Sequence, residues 1–157
     1  MIVSHEVPRC LLNNSKEFND YEYCLPHLLD QDEHYLKHFI EAKSKGRYII
    51  MDNSLHELGE AYDHKRLIHW INEIEPDEFI VPDVWMDCHK TAAQAKYWRQ
   101  FDYPKNTQIT AVIQGQDKND AYLCANLLQN LGYKKLCVSY GATWYNDFFP
   151  HTNPDMG

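Results

Sequence analysis

The sequence predicts an α/β domain built on a parallel sheet, and three observations carry that expectation. Short apolar runs stop on a polar residue or a glycine, segments of helical period lie between them, and the interval is nearly constant. The runs end at Asp52, Asp83, Gln114 and Gly141, spaced by 31, 31 and 27 residues, which is the length of one strand plus one crossover helix. Strands and helices alternating at this interval form parallel sheets with right-handed crossovers, and such sheets bind ligands just beyond the carboxyl ends of their strands. Asp and Gly also simply start loops, but four such positions in register are hard to ascribe to loop chemistry alone.

Each element follows from its own pattern. Residues 5–30 mix Pro8 and Pro26 with Asn13, Asn14, Asn19 and Asp20 and hold no period, which predicts an irregular lead-in. Over residues 33–45, Leu36, Phe39 and Ile40 share one helical face, and Gly46 stands where the helix would end. Residues 47–51 (RYIIM) read as a strand buried on both faces. Asp63 can cap a helix whose Leu67, Ile68, Ile71 and Ile74 recur at helical spacing and which Pro76 closes. Residues 78–81 (EFIV) form the next run, ending at Pro82 and Asp83. A helix over 89–100 has a weaker apolar face (Ala92, Ala95, Trp98), and residues 108–113 (QITAVI) run into Gln114 and Gly115. Over 119–131, Ala121, Cys124, Leu127, Leu128 and Leu131 share a side and Gly132 stops it, before a last run at 135–139 (KLCVS). The N-terminal MIV offers a fifth strand.

Composition narrows the function classes. A chain of 157 residues with 44% hydrophobic and 24% charged content fits one globular domain, residues 1–157. Its 15 Lys+Arg against 23 Asp+Glu leave a charge of −8, which repels polyanions and confines any nucleic-acid contact to a local site. The five cysteines, Cys10, Cys24, Cys88, Cys124 and Cys137, are scattered without CxxC spacing. That argues against a disulfide framework and a structural zinc site, and for a reducing cytoplasm. No apolar run approaches the ~18 residues of a membrane span, and no signal-peptide pattern opens the chain; a soluble protein with no membrane partner is expected.

Several segments resemble one family. MDNSLHELGEA (51–61), FIVPDVWMDCHKT (79–91), AVIQGQ (111–116) and LCVSYGA (136–142), with the lead-in FNDYEYCLPHLL (18–29), are similar in order and spacing to the tRNA-guanine transglycosylase (queuine and archaeosine) superfamily. The likeness is closest to the phage and bacterial branch that acts on DNA, and it covers most of the chain. It implies a (β/α) TIM-barrel type of fold. It also implies an activity, the exchange of guanine for a 7-deazaguanine derivative through a covalent sugar intermediate, with DNA favoured over tRNA and a host cytoplasm for a phage-encoded chain.

The chemistry asks for such residues. Breaking a glycosidic bond to guanine builds positive charge on the sugar and negative charge on the departing base, so a proton-handling carboxylate lowers the barrier. The resemblance places Asp52 in that role. Asp52 followed by Asn53 and Ser54 is also a sound turn sequence. Guanine offers donors at N1 and the 2-amino group and an acceptor at O6, which suit a carboxylate and an amide or backbone N–H. Asp83 and Gln114 fit these jobs, Gly141 would let a backbone N–H approach the base as its match implies, and Gly115 would do the same beside Gln114. Asp87 competes with Asp83, and spacing does not separate them. Trp85, Trp144 and Tyr145 could stack on a base, although most aromatic rings fill interiors.

No cofactor and no metal site are expected. The histidines, including His56, His64, His69 and His89, lack HxH and HExxH spacing, and His34 with His38 lacks a third ligand. A whole eight-unit barrel needs about 250 residues, and the nucleophilic aspartate and zinc site of the tRNA enzymes have no counterpart before Gly157; Asp147 and Asp155 follow no apolar strand. An incomplete barrel is therefore expected, whose activity requires a homo- or hetero-oligomer or further chain. Two rival readings are a non-catalytic guanine- or deazaguanine-binding or regulatory module, and a metal-dependent hydrolase.

Overall fold

Aspartates start the four long helices. Asp32, Asp63, Asp87 and Asp117 each accept hydrogen bonds from first-turn N–H groups that a helix leaves without internal partners. The computed structural model describes residues 2–138. After a 3-10 helix (Arg9–Glu17), the elements are β1 (Glu22–Cys24), α1 (Pro26–Gln31), α2 (Glu33–Ser44), β2 (Ile49–Met51), α3 (Leu55–Leu58) and α4 (His64–Ile74). They continue with β3 (Glu78–Ile80), α5 (Cys88–Trp98), β4 (Gln108–Ile113), α6 (Lys118–Asn130) and β5 (Leu136–Val138). Gly46 and Gly132 adopt φ of +71° and +87° after α2 and α6, the left-handed conformation that ends a helix without a Cβ clash.

The chain forms two compact units. The first comprises residues up to Ile80 together with Asp102–Gln108. In it β1, β2 and β3 pair in that order, both pairs parallel, with Tyr23 opposite Ile50 and Ile50 opposite Glu78. Ile49, Met51 and Phe79 are fully buried, as are Phe39 of α2 and Leu67, Ile71 and Ile74 of α4. β3 is buried at all three positions, whereas β1 and β2 leave their middle residues, Tyr23 and Ile50, half-buried. The returning segment is tied by Gln108 N–H to the Asp77 carbonyl (2.9 Å) and by the Thr107 hydroxyl to the Pro76 carbonyl (2.6 Å).

The second unit comprises Val81–Phe101 and, among the described residues, those from Ile109 to Val138. Here β4 and β5 pair parallel, Val112 opposite Cys137, and Val81 N–H donates to the Thr110 carbonyl at 2.9 Å. Helix α5 packs on α6, with Ala95, Trp98, Ala121, Cys124 and Leu128 buried. Every described strand pairing is parallel, so the chain is α/β as the alternation predicts. No described helix is long and apolar enough to cross a membrane.

The expected irregular lead-in is corrected. Residues 5–30 contain the 3-10 helix, β1 and α1, whereas Ile2 and Val3 lie outside any strand. A three-residue strand is too short for a period to show, and its first inward residue is a carboxylate. Glu22 is buried, accepting from the Ser15 hydroxyl (3.0 Å) and Arg47 Nε (3.0 Å), with His38 Nε2 at 3.4 Å. Burial opposes its charge, but these partners outweigh burial and hold the carboxyl below its ordinary value.

Candidate functional site

Asp52 occupies the position after β2, where its N–H donates to the Cys24 carbonyl at 2.9 Å. The carboxylate is held from both sides: Oδ1 accepts from the Tyr23 hydroxyl and Oδ2 from the Ser54 N–H, each at 2.9 Å. Burial pushes the carboxyl above its ordinary value; the Ser54 amide and Tyr23 hydroxyl pull the other way, Glu57 adds to the rise, and the net shift is upward. Such a group binds and releases a proton closer to neutral pH than a surface aspartate, which is what acid/base chemistry on a leaving base needs.

The turn that presents Asp52 is strained and braced. Ser54 is 0% exposed and sits at φ +59°, a conformation rare for a residue with a Cβ. Its hydroxyl lies 2.8 Å from His27 Nδ1 on the first turn of α1, and the Leu55 N–H donates to Asn53 Oδ1 at 2.9 Å. Glu6 is close enough to feel the charge: burial first, then Glu57 and Asp52, raise its carboxyl above the usual range, with His56 opposing. The surroundings of Asp52 are therefore acidic. Sequence reasoning gives Tyr23 and His27 no role, and Ser54 only that of a turn residue. The resembling lead-in contains Tyr23 and His27, but only the pairing of β1 with β2 brings them to Asp52.

In the second unit Gln114, directly after β4, is 1% exposed and makes two opposed bonds. Its Nε2 donates to Asp83 Oδ2 at 2.6 Å and its Oε1 accepts the Met86 N–H at 3.1 Å. The Met86 amide can only donate, so it fixes which end of the Gln114 amide faces Asp83. Gln114 thus orients a buried carboxylate, and its acceptor oxygen is already engaged. Its own N–H points to Cys124 Sγ at 3.4 Å.

Asp87 separates itself from Asp83. It caps α5 through the Lys90 N–H (2.9 Å) and pairs with the Lys90 ammonium (3.0 Å), and these bonds hold its carboxyl below the usual value. Gly115 also has a local reason. A Cβ there would stand 2.8 Å from the Ala121 nitrogen and the Asp120 Cβ, so its missing side chain lets the first turn of α6 approach. Gly141, Trp144, Tyr145, Asp147 and Asp155 lie outside the described residues. Among the described residues no three His, Cys, Asp or Glu side chains gather closely enough to hold a metal ion. Comparison with known protein families finds no match for this chain, and comparison with curated proteins finds no significant one.

Proposed function

We propose that this chain is a guanine transglycosylase of nucleic acid, exchanging guanine for a 7-deazaguanine derivative, with DNA favoured as the polymer, on a partial (β/α) barrel. The observation that carries the reading is the Asp83 carboxylate oriented by the buried Gln114 amide at 2.6 Å. An anchored carboxylate accepts from adjacent donors such as guanine N1–H and the 2-amino group, and both 7-deazaguanine and guanine keep those donors. Asp52, with its raised proton affinity, is the carboxyl of the first unit suited to giving a proton to a departing base and taking one back from an incoming base. Between these events the glycosidic bond to guanine breaks as a nucleophilic carboxylate bonds to the sugar carbon, and the incoming base then displaces that carboxylate to form the new glycosidic bond.

The test is incorporation of labelled guanine and labelled 7-deazaguanine into DNA or tRNA by the full-length gene product, alone and with co-expressed neighbours. Incorporation that Asp52→Asn abolishes is the expected result. No incorporation under any of these conditions overturns the enzymatic reading. A second reading, a guanine-binding module without turnover, is favoured by the Asp83 and Gln114 pair being complete within one unit. Purine binding that depends on Asp83, persists in Asp52→Asn and never leads to exchange selects it.

A further inference from the structure

Trp85 lies in the turn between Asp83 and α5 with 45% of its surface exposed, whereas Trp70 and Trp98 are 6% and 3% exposed. Packing accounts for the latter two and not for Trp85. Its backbone is nevertheless fastened on both sides. The Val84 N–H donates to the Thr91 hydroxyl oxygen at 3.0 Å, that hydroxyl donates to the Val84 carbonyl at 3.1 Å, and the Asp87 N–H donates to the same carbonyl at 3.1 Å. Thr91 is itself buried. On the other side the Met86 N–H is held by Gln114, whose amide also holds Asp83. Residues 83–86 therefore form a ring closed by one side chain, and Met86 adopts φ +54° within it. A left-handed methionine and a bound turn keep a large apolar ring in water two residues along the chain from an anchored carboxylate, an arrangement that suits a ligand rather than the fold.

We infer that Trp85 is a stacking platform for the purine that Asp83 reads, an inference that rests on the proposed role of Asp83. The two residues divide recognition. Edge hydrogen bonds to Asp83 choose bases that carry adjacent donors, and the indole face supplies affinity common to every purine because each has a π-face. Since the turn is already ordered, binding orders little further chain. Guanine and 7-deazaguanine, which differ only at ring position 7, stack alike, so the platform accepts both members of an exchange.

Titration calorimetry of the full chain with guanine and 7-deazaguanine tests this. Trp85→Ala is expected to weaken both bases equally, on the order of tenfold to a hundredfold, with an unchanged thermal midpoint because the side chain is exposed. Trp85→Phe is expected to restore most of the affinity, and saturable quenching of tryptophan emission by 7-deazaguanine is expected to be lost in it. Asp83→Asn is expected to erase the preference for guanine over adenine instead. If the wild-type chain binds neither base, the reading of Asp83 fails. If the wild type binds and Trp85→Ala binds equally well, the platform alone is overturned.

Discussion

Replacing Gln114 with methionine keeps the length of a side chain that is 1% exposed and removes both of its hydrogen bonds. Asp83 loses a donor at 2.6 Å, and the Met86 N–H loses its acceptor at 3.1 Å. A hydrogen bond to a charged group contributes about 1.5–3 kcal/mol and a neutral one about 0.5–1.5 kcal/mol, so together the loss is about 2–4.5 kcal/mol. Matched volume keeps the packing term small. Against a typical stability of roughly 5–15 kcal/mol, this is a large shift in a guanidinium denaturation midpoint. Hydrogen exchange reads the same event locally, because the Met86 amide becomes exchangeable while the amides of α4 stay protected. Gln114→Glu separates the two bonds: it keeps an acceptor for Met86 but sets a second carboxyl against Asp83. That variant is expected to be destabilised at neutral pH and to recover on acidification, as one proton shared between the two carboxyls restores the contact. A loss below about 1 kcal/mol in Gln114→Met, with the Met86 amide as protected as before, would refute the clamp.

Gly115→Ala is expected to destabilise by about 1–3 kcal/mol through overpacking, since the new Cβ meets backbone of α6 at 2.8 Å; an unchanged melting temperature excludes the close approach. For Asp52, the folded carboxyl is raised above its unfolded value. Its contribution to stability is therefore fully present below the unfolded value, near about 3.9, and is lost as pH rises through the folded one. The amide introduced by Asp52→Asn does not titrate, so the melting temperature of that variant is expected to gain on the wild type as pH rises from about 4 to about 7. A difference that stays constant over that range sinks the assignment of a raised proton affinity.

Helices α2, α4, α5 and α6 are legible in the residues alone because their apolar periods span only a dozen or so neighbouring positions, helped by the cap Asp63, which bonds Arg66 three positions on, and by stops at Gly46, Pro76 and Gly132; α5, with neither cap nor stop read, is the weakest of the four. Strands β2, β3, β4 and β5 are legible because each is a short run of mostly apolar residues, although only β3 is buried at every position. Positions 52 and 114 follow from where β2 and β4 stop. Long-range contacts settle the rest. Glu22 can be buried only because Ser15, His38 and Arg47, up to 25 residues away, meet it, so β1 shows no apolar signature. Asp83 and Asp87 are the same residue type in the same loop, told apart only when one caps α5 and the other receives an amide from 31 residues downstream. Short-range order is written in adjacent side chains, whereas the partner of a buried polar group is chosen by the packing that brings distant strands together.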